Sequence, residues 1–373
     1  MTKVLMISSD AKILEEGSPV RARMAEYGTL FAETNIILFT LANKAGVTTG
    51  GRRTVQVSPN VFVHPTDSFS RFFYITDAIA LGQKVIRGKG LAKGDCIITA
   101  QDPFEAGMVG RMLSQKSGIP LHVQIHTDFQ SAYFRKGILN MIRIGFSKIV
   151  FPQAKAVRAV SDKILASLPA QVRSKASVLP IYADVASVSG SQVTADLRKK
   201  YPRFGKIALA ASRLTKEKDI ASAIRAFVAV RKNLPDAGLV IVGSGAEEAN
   251  LKALAAAAGL ADSVIFEPWA DHATLVSYMK TCDAFISASL YEGYGLSMLE
   301  AHAAGATLVA TNAGIAPLLA DESCLIAPGD VSALAAAIEC ALSGEAKNKP
   351  YRYPYQSKSA YLDVYRADIE RAK

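Results

Sequence analysis

The chain has 373 residues, half of them hydrophobic and 20% charged. That is too long for one typical core and suits two, and so large a core needs no disulfide staples. The net charge of +10 lies wholly in the first half: residues 1–185 hold 23 Lys+Arg against 13 Asp+Glu, and the remainder holds 20 of each. A basic half points to an anionic partner, whether nucleic acid, an acidic membrane surface or a phosphorylated substrate. The aromatic-basic modules of RNA binders are absent, which sets nucleic acid aside. Cys96, Cys282, Cys324 and Cys340 are scattered without C-x-x-C or zinc spacing, so reduced thiols in a cytoplasmic protein are expected and a metal site is not. "MTKVLMISSDAK" turns polar too soon for a secretory leader, and no apolar run is long enough to span a membrane.

In chain order, 3–9, 34–41, 96–100, 121–127 and 156–161 read as strands, with helical patterns such as "PFEAGMVGRMLSQKSG" between them. The stretch 178–197, rich in small and polar residues, reads as a hinge or linker. The alternation then restarts with strands at 206–212, 237–243, 263–268, 283–289 and 306–312, separated by helices including "SAIRAFVAVRKN" and "EEANLKALAAAAG". Strand–helix alternation predicts parallel βαβ units, hence an α/β chain of two doubly wound, Rossmann-like domains facing across a cleft. The expected division is 1–183 and 184–351. A polar, tyrosine-rich tail and a final helix follow over about 352–373.

Ligands of open α/β sheets sit beyond the carboxyl ends of strands, so the chemistry is sought there. "YEGYGLSMLEAHAAG" (291–305) follows a strand. It reads either as a glycine turn before an ordinary helix or as a phosphate cradle. In the second reading the amides of Tyr294, Gly295, Leu296 and Ser297 face an anion, Glu300 accepts from a ribose diol, and Glu292 sits beside whatever hangs from the phosphates. "ASRLTKEKD" (211–219) puts Arg213 and Lys218 on one loop, either as a solvated basic loop or as partners of a diphosphate. Gly243 in "IVGSGAEEANL" marks another strand–glycine–helix turn. His126 in "QIHTDF" ends a first-half strand, and Gly17 in "EEGSPVRARM" precedes a helix.

In this order these features resemble the retaining glycosyltransferases of glycosyltransferase family 4, which have the GT-B fold. The E-x(7)-E pattern of Glu292 and Glu300 is the most specific element; "SRLTKEKD", "VIVGSG" and "VIFEPW" precede it at the family's spacings. The resemblance implies that Arg213 and Lys218 hold the diphosphate of a nucleotide-sugar such as a UDP-sugar, Glu300 the ribose and Glu292 the transferred sugar. It implies that the Glu267–Asp271 loop with Trp269 flanks the base, that Gly17 and His126 meet the donor from the first domain, and that the last helix crosses back to that domain. It also implies metal-independent transfer with retention, and no D-x-D occurs. The sequence departs from the family at Gly17, where a second glycine is common, and at "PIYADV" (180–185), where "PNGVD" is common. Both departures lie on the acceptor or hinge side.

Two further readings stay open: a nucleotide-sugar epimerase on the same fold, and a non-catalytic sugar-nucleotide-binding protein. For the acceptor, a glycan or lipid-linked molecule of cell-envelope polysaccharide or glycolipid assembly is expected, with peripheral attachment to an anionic inner membrane face. That expectation rests on Arg71, Lys84, Arg87, Lys89, Lys93, Arg135, Lys136, Arg143 and Lys148, interleaved with Phe72, Phe73, Tyr133, Phe134, Ile138 and Ile142.

Overall fold

The computed structural model describes residues 1–42, 54–355 and 357–373. They form two compact units, Met1–Pro180 with Lys358–Lys373, and Ile181–Ser357.

The first unit is built on β1 (Lys3–Ser8), β2 (Glu33–Leu38), β3 (Val55–Ser58), β4 (Val61–Pro65), β5 (Cys96–Ala100), β6 (Leu121–Ile125), β7 (Ala154–Ala159) and β8 (Ala176–Val178). Their order across the sheet is β3-β4-β2-β1-β5-β6-β7-β8. All pairs are parallel except β3–β4, a hairpin closed by Pro59–Asn60 with a register shift between Gln56 and Ser58. The central strands are apolar runs buried along their length ("VLMI", "CIITA"), as a parallel sheet covered on both faces requires.

The second unit has β9 (Lys206–Ala211), β10 (Ala237–Val242), β11 (Val264–Glu267), β12 (Ala284–Ser287), β13 (Thr307–Thr311) and β14 (Leu325–Ile326). They form an all-parallel sheet in the order β11-β10-β9-β12-β13-β14. Ile224, Phe227 and Val230 of the helix Ile220–Asn233 and Ile338 and Leu342 of the helix Val331–Ser343 bury their apolar stripes against one face. The α/β class and both doubly wound sheets agree with the sequence expectation.

Residues 178–197 are more ordered than a linker. Asp184 caps a short helix, Val185–Gly190, accepting from Ser187 N at 3.0 Å, and Leu197 is buried. The division falls at Pro180/Ile181 because Tyr353 clamps this segment: its hydroxyl donates to Ile181 O at 2.9 Å and accepts from Ala183 N at 3.2 Å. The same contacts keep the tail in the second unit as far as Ser357, beyond the expected 351.

The last helix, Lys358–Glu370, belongs to the first unit and docks through polar groups. Arg158 on β7 is buried and donates to Gln124 Oε1 (2.9 Å), Leu179 O (3.0 Å), Pro180 O (2.9 Å) and Tyr361 OH (2.9 Å). His122 on β6 lies 3.1 Å from Asp368 Oδ2, and Ser177 on β8 donates to Asp368 as well. Burial raises the Asp368 carboxyl, but the His122 and Ser177 hydrogen bonds and the Arg158 charge outweigh it and hold the group below its ordinary value. Tyr365 stacks on Tyr27 with ring centroids 4.3 Å apart. The last helix lies in the first unit, as the resemblance implied, and it supplies buried polar groups to that core.

Candidate active site

In the second sheet the chain runs from β9 through β10 and β11 on one side and through β12, β13 and β14 on the other, so connections diverge between β9 and β12. Ligands of open α/β sheets sit at such a switch point, beyond the carboxyl ends of the strands. The loops after β9 and β12 carry Arg213 with Lys218 and Glu292 with Gly295 respectively, and they are tied together. Leu290 N donates to Glu217 O at 2.8 Å. Lys218 Nζ donates to Glu292 Oε1, which also accepts from Ser289 Oγ at 2.9 Å. Both side chains of this ion pair are mostly buried, at 17% and 15% exposure.

Gly295 caps the helix Leu296–Ala303 in the left-handed region (φ +97°) with no capping side chain. The first amides of any helix lack an intrahelical acceptor, so Leu296 and Ser297 present donors at this end. Glu300 lies one turn in, with His272 Nε2 3.1 Å from its Oε1. His272 opens the helix His272–Thr281, directly after the loop bearing Trp269, whose indole is 62% exposed. The Tyr294 ring is core, and its carbonyl accepts from Ile315 N at 2.8 Å.

Arg213 is 68% exposed and pairs with Glu217 at 3.3 Å. Both candidate cations of this loop thus hold a carboxylate, Arg213 with Glu217 and Lys218 with Glu292. Gly243 (φ +145°) serves loop packing: a Cβ there would lie 2.0 Å from Ser212 O. Its N–H donates to Glu267 O at 3.1 Å, which links the turn to the Trp269 loop.

Three residues of this cluster were not anticipated: His272, Ser289 and Gly314. Gly314 (φ +54°) lets the loop after β13 pass under the glutamate turn, since a Cβ there would meet Tyr294 O at 2.2 Å. The turn signal "NAG" after a strand marks it. Nothing in the local sequence around His272 or Ser289 does.

Gly17 and His126 belong to the first unit. Gly17 is exposed (φ +76°) and precedes Ser18, whose Oγ accepts from Arg21 N at 3.1 Å to cap the helix Pro19–Gly28. His126 follows β6. Burial, with the nearby charges of Arg158 and Arg23, pushes its imidazole down to about 3. Its Nε2 is buried with no hydrogen-bond partner among the described residues, so a neutral ring waits there with one nitrogen unpaired.

Residues 195–358 match the family model described as glycosyl transferases group 1. The chain carries a glycosyl transferases group 1 domain. The alpha-monoglucosyldiacylglycerol synthase of Streptococcus pneumoniae is 29% identical to the chain over 232 residues, 57% of this chain and 51% of that protein. The chain spans about half the length of the curated relatives it matches. Among solved structures, a sucrose-phosphate synthase from Thermosynechococcus elongatus superposes with a TM-score of 0.71 at 19% identity, covering 100% of this chain and 94% of that one. Anabaena Alr3699/HepE in complex with UDP-glucose gives 0.65 at 17%, covering 100% and 96%. Likeness at such identity is one of fold, the GT-B architecture of two Rossmann-like domains. The matched group 1 domain contains the whole cluster from Arg213 to Gly314.

Proposed function

We propose that the chain is a retaining, metal-independent hexosyltransferase that moves a sugar from a nucleotide-sugar to a glycan or lipid-linked acceptor in cell-envelope polysaccharide or glycolipid assembly. One observation carries this reading: the Lys218–Glu292 pair ties together the two loops at the switch point, which also bear Arg213 and the open amides of the Leu296 helix. The diphosphate would take Lys218, Arg213 and the amides of Gly295 to Ser297. Glu300 would grip the ribose, the Trp269 loop would flank the base, and Glu292, released from Lys218, would meet the sugar. Charge developing on the leaving diphosphate is then matched by fixed donors, and the remaining work is positioning. The acceptor attacks on the donor's front face and the leaving phosphate takes its proton.

Peripheral attachment to an anionic inner membrane face completes the reading. Phe72 (95% exposed) follows β4, and Ile138 (84%) follows β6. Those two strands are parallel members of one sheet, so both residues project from the same end of the first unit. Three members of the expected patch drop out. Phe134 is core, stacked on Phe104 at 5.9 Å, Arg143 is paired with Glu105 at 2.9 Å, and Lys89 is paired with Glu33 at 3.2 Å. That S. pneumoniae relative is named for a diacylglycerol glycolipid, which supports a lipid-linked acceptor here.

The test is incubation with UDP-, GDP- and ADP-sugars, with and without a lipid extract, in excess EDTA. Transfer with retained anomeric configuration, only when acceptor is present, is expected. Conversion of donor alone would establish the epimerase, and binding without turnover the non-catalytic reading. Flotation with anionic liposomes should succeed, weaken with salt, and fail when Arg135, Lys136 and Lys148 are neutralised.

A further inference from the structure

The helix Ile138–Val150 is apolar on two sides. Ile144, Ser147 and Val150 face the core, whereas Ile138, Ile142 and Ile149 form a stripe on the opposite side and remain exposed. A helix apolar all round is normally enclosed, so this stripe lacks its natural covering. Beside it, between this helix and the turn Pro169–Lys175, lies a cavity of ≈ 590 Å³, within the roughly 300–1,000 Å³ of small-molecule sites. Met141, Ile144, Phe151 and Val172 form its walls. Arg135, Lys148 and Lys175 are the charged groups that line it, and no carboxylate does. Lys175 is fixed there, donating to Phe151 O and Ala154 O at 2.7 Å each.

We propose that this cavity binds one acyl chain of an anionic lipid, with the headgroup phosphate held by Arg135 and Lys148. Three observations converge on that occupant. The walls are predominantly aliphatic and aromatic, as a hydrocarbon chain requires, with Gln130, Ser147 and Gln171 the uncharged polar groups among them. The charge lining them is of one sign and complements a phosphate. The cavity and the isoleucine stripe share one helix, whose flank residues Met141 and Lys148 line the cavity next to the stripe, so a chain leaving a bilayer that the stripe touches has a short path into it. Met141 and Lys148 lie on the flank of the helix between its buried side and its isoleucine side, one supplying wall and the other charge. The site goes beyond the transferase reading: it lies in the first unit, and it would anchor the protein, or hold a lipid acceptor's tail, whichever sugar is moved.

The full chain is titrated with cis-parinaric acid below its micelle concentration, following the rise in probe fluorescence. It is then competed with lysophosphatidylglycerol and lysophosphatidylcholine, also as monomers. Saturable binding of one probe per chain is expected, displaced by the anionic lysolipid at about tenfold lower concentration than by the zwitterionic one. Val172→Trp fills the cavity and Lys148→Glu reverses its charge. Each should weaken the probe about tenfold or more, the scale on which one misfitting group is rejected by an apolar pocket. If Val172→Trp fails to fold, Val172→Phe and Lys148→Glu decide. Unsaturable binding, or native-like variants that bind as tightly as the parent, would overturn the proposal. So would a concentration-dependent dimer that Val172→Trp dissociates and no lipid displaces, because a second copy would then be the occupant. Sugar transfer is not read in this assay, so the fate of the transferase reading is decided separately.

Discussion

The two glutamates of "EGYGLSMLE" are expected to respond differently to loss of charge. In Glu292→Gln the side chain keeps its shape and still accepts from Ser289 and Lys218, but the Ser289 bond becomes a neutral one and the Lys218 bond loses its ion-pair partner. A hydrogen bond to a charged group contributes about 1.5–3 kcal/mol and a neutral one about 0.5–1.5, so the folded protein loses about 1–3 kcal/mol across the pair. For a domain of this size that lowers the melting temperature by roughly 2–4 °C per kcal/mol. The same change frees Lys218 for a diphosphate. UDP should bind as tightly as before or up to about fivefold tighter, since about 1 kcal/mol of competition is removed. Sugar transfer should fall by at least about a hundredfold, as expected when a group that meets the transferred sugar loses its charge. Glu300→Gln has only His272 to lose within the protein, so its melting temperature should hardly move. Its UDP affinity should drop about tenfold or more, because a ribose diol would exchange two charged acceptors for weaker ones. Isothermal titration with UDP, a donor turnover assay and a thermal melt on the parent and both variants measure every quantity. Weaker UDP binding in Glu292→Gln, or equal losses in the two variants, would refute the division of labour and the claim that Lys218 changes partners.

Arg213→Ala should leave the melting temperature within about 4 °C, because an exposed ion pair such as that with Glu217 contributes at most about 1 kcal/mol. It should still weaken donor binding or turnover tens-fold; changes below about threefold in both would remove Arg213 from the diphosphate. The His126 ring, held down to about 3, should stay neutral, so its imidazole NMR signals should not move between about pH 8 and pH 5. A titration centred near 6.5 would contradict its burial. Asp368→Ala should destabilise the first unit by about 3–5 kcal/mol, the usual result of breaking a buried pair. In the parent, the Asp368 carboxyl is lower folded than unfolded, so its stabilisation is fully present above the ordinary value of 3.8 and is lost as pH falls through the folded value. The pH dependence of urea unfolding should therefore flatten below about pH 4 in Asp368→Ala relative to the parent.

How far the site was legible in the sequence follows from where its groups sit in the chain. Arg213 and Lys218 lie in the loop after β9, and Glu292, Gly295 and Glu300 in the turn and helix after β12, so a strand pattern plus the loop that follows locates them without knowledge of the sheet. His272 reaches Glu300 across 28 residues and Ser289 reaches Glu292 only through turn geometry; neither contact leaves a periodic trace. The same distinction separates strands found from strands missed. β1, β5, β9 and β10 are long apolar runs. β8 and β14, of three and two residues, and the β3–β4 hairpin are shorter or more polar than the pattern can register.

The first unit was harder for a further physical reason: burial there does not follow residue type. Arg158, His122 and Asp368 are buried because the neighbouring strands β6 and β7 and the last helix, more than 200 residues further along the chain, supply each other's hydrogen-bond partners. No local window contains both halves of that network. Conversely Phe72 and Ile138 are exposed while Phe134, in the same aromatic-basic run, is core. Composition made all three look like one patch. Side-chain direction divides them, Phe134 turning inward onto Phe104 while Ile138, four residues later, opens a helix whose outer stripe is isoleucine. A face suited to lipid and a core share one alphabet of residues. What separates them is the presence of a covering partner, which the isoleucine side of the Ile138 helix lacks among the described residues.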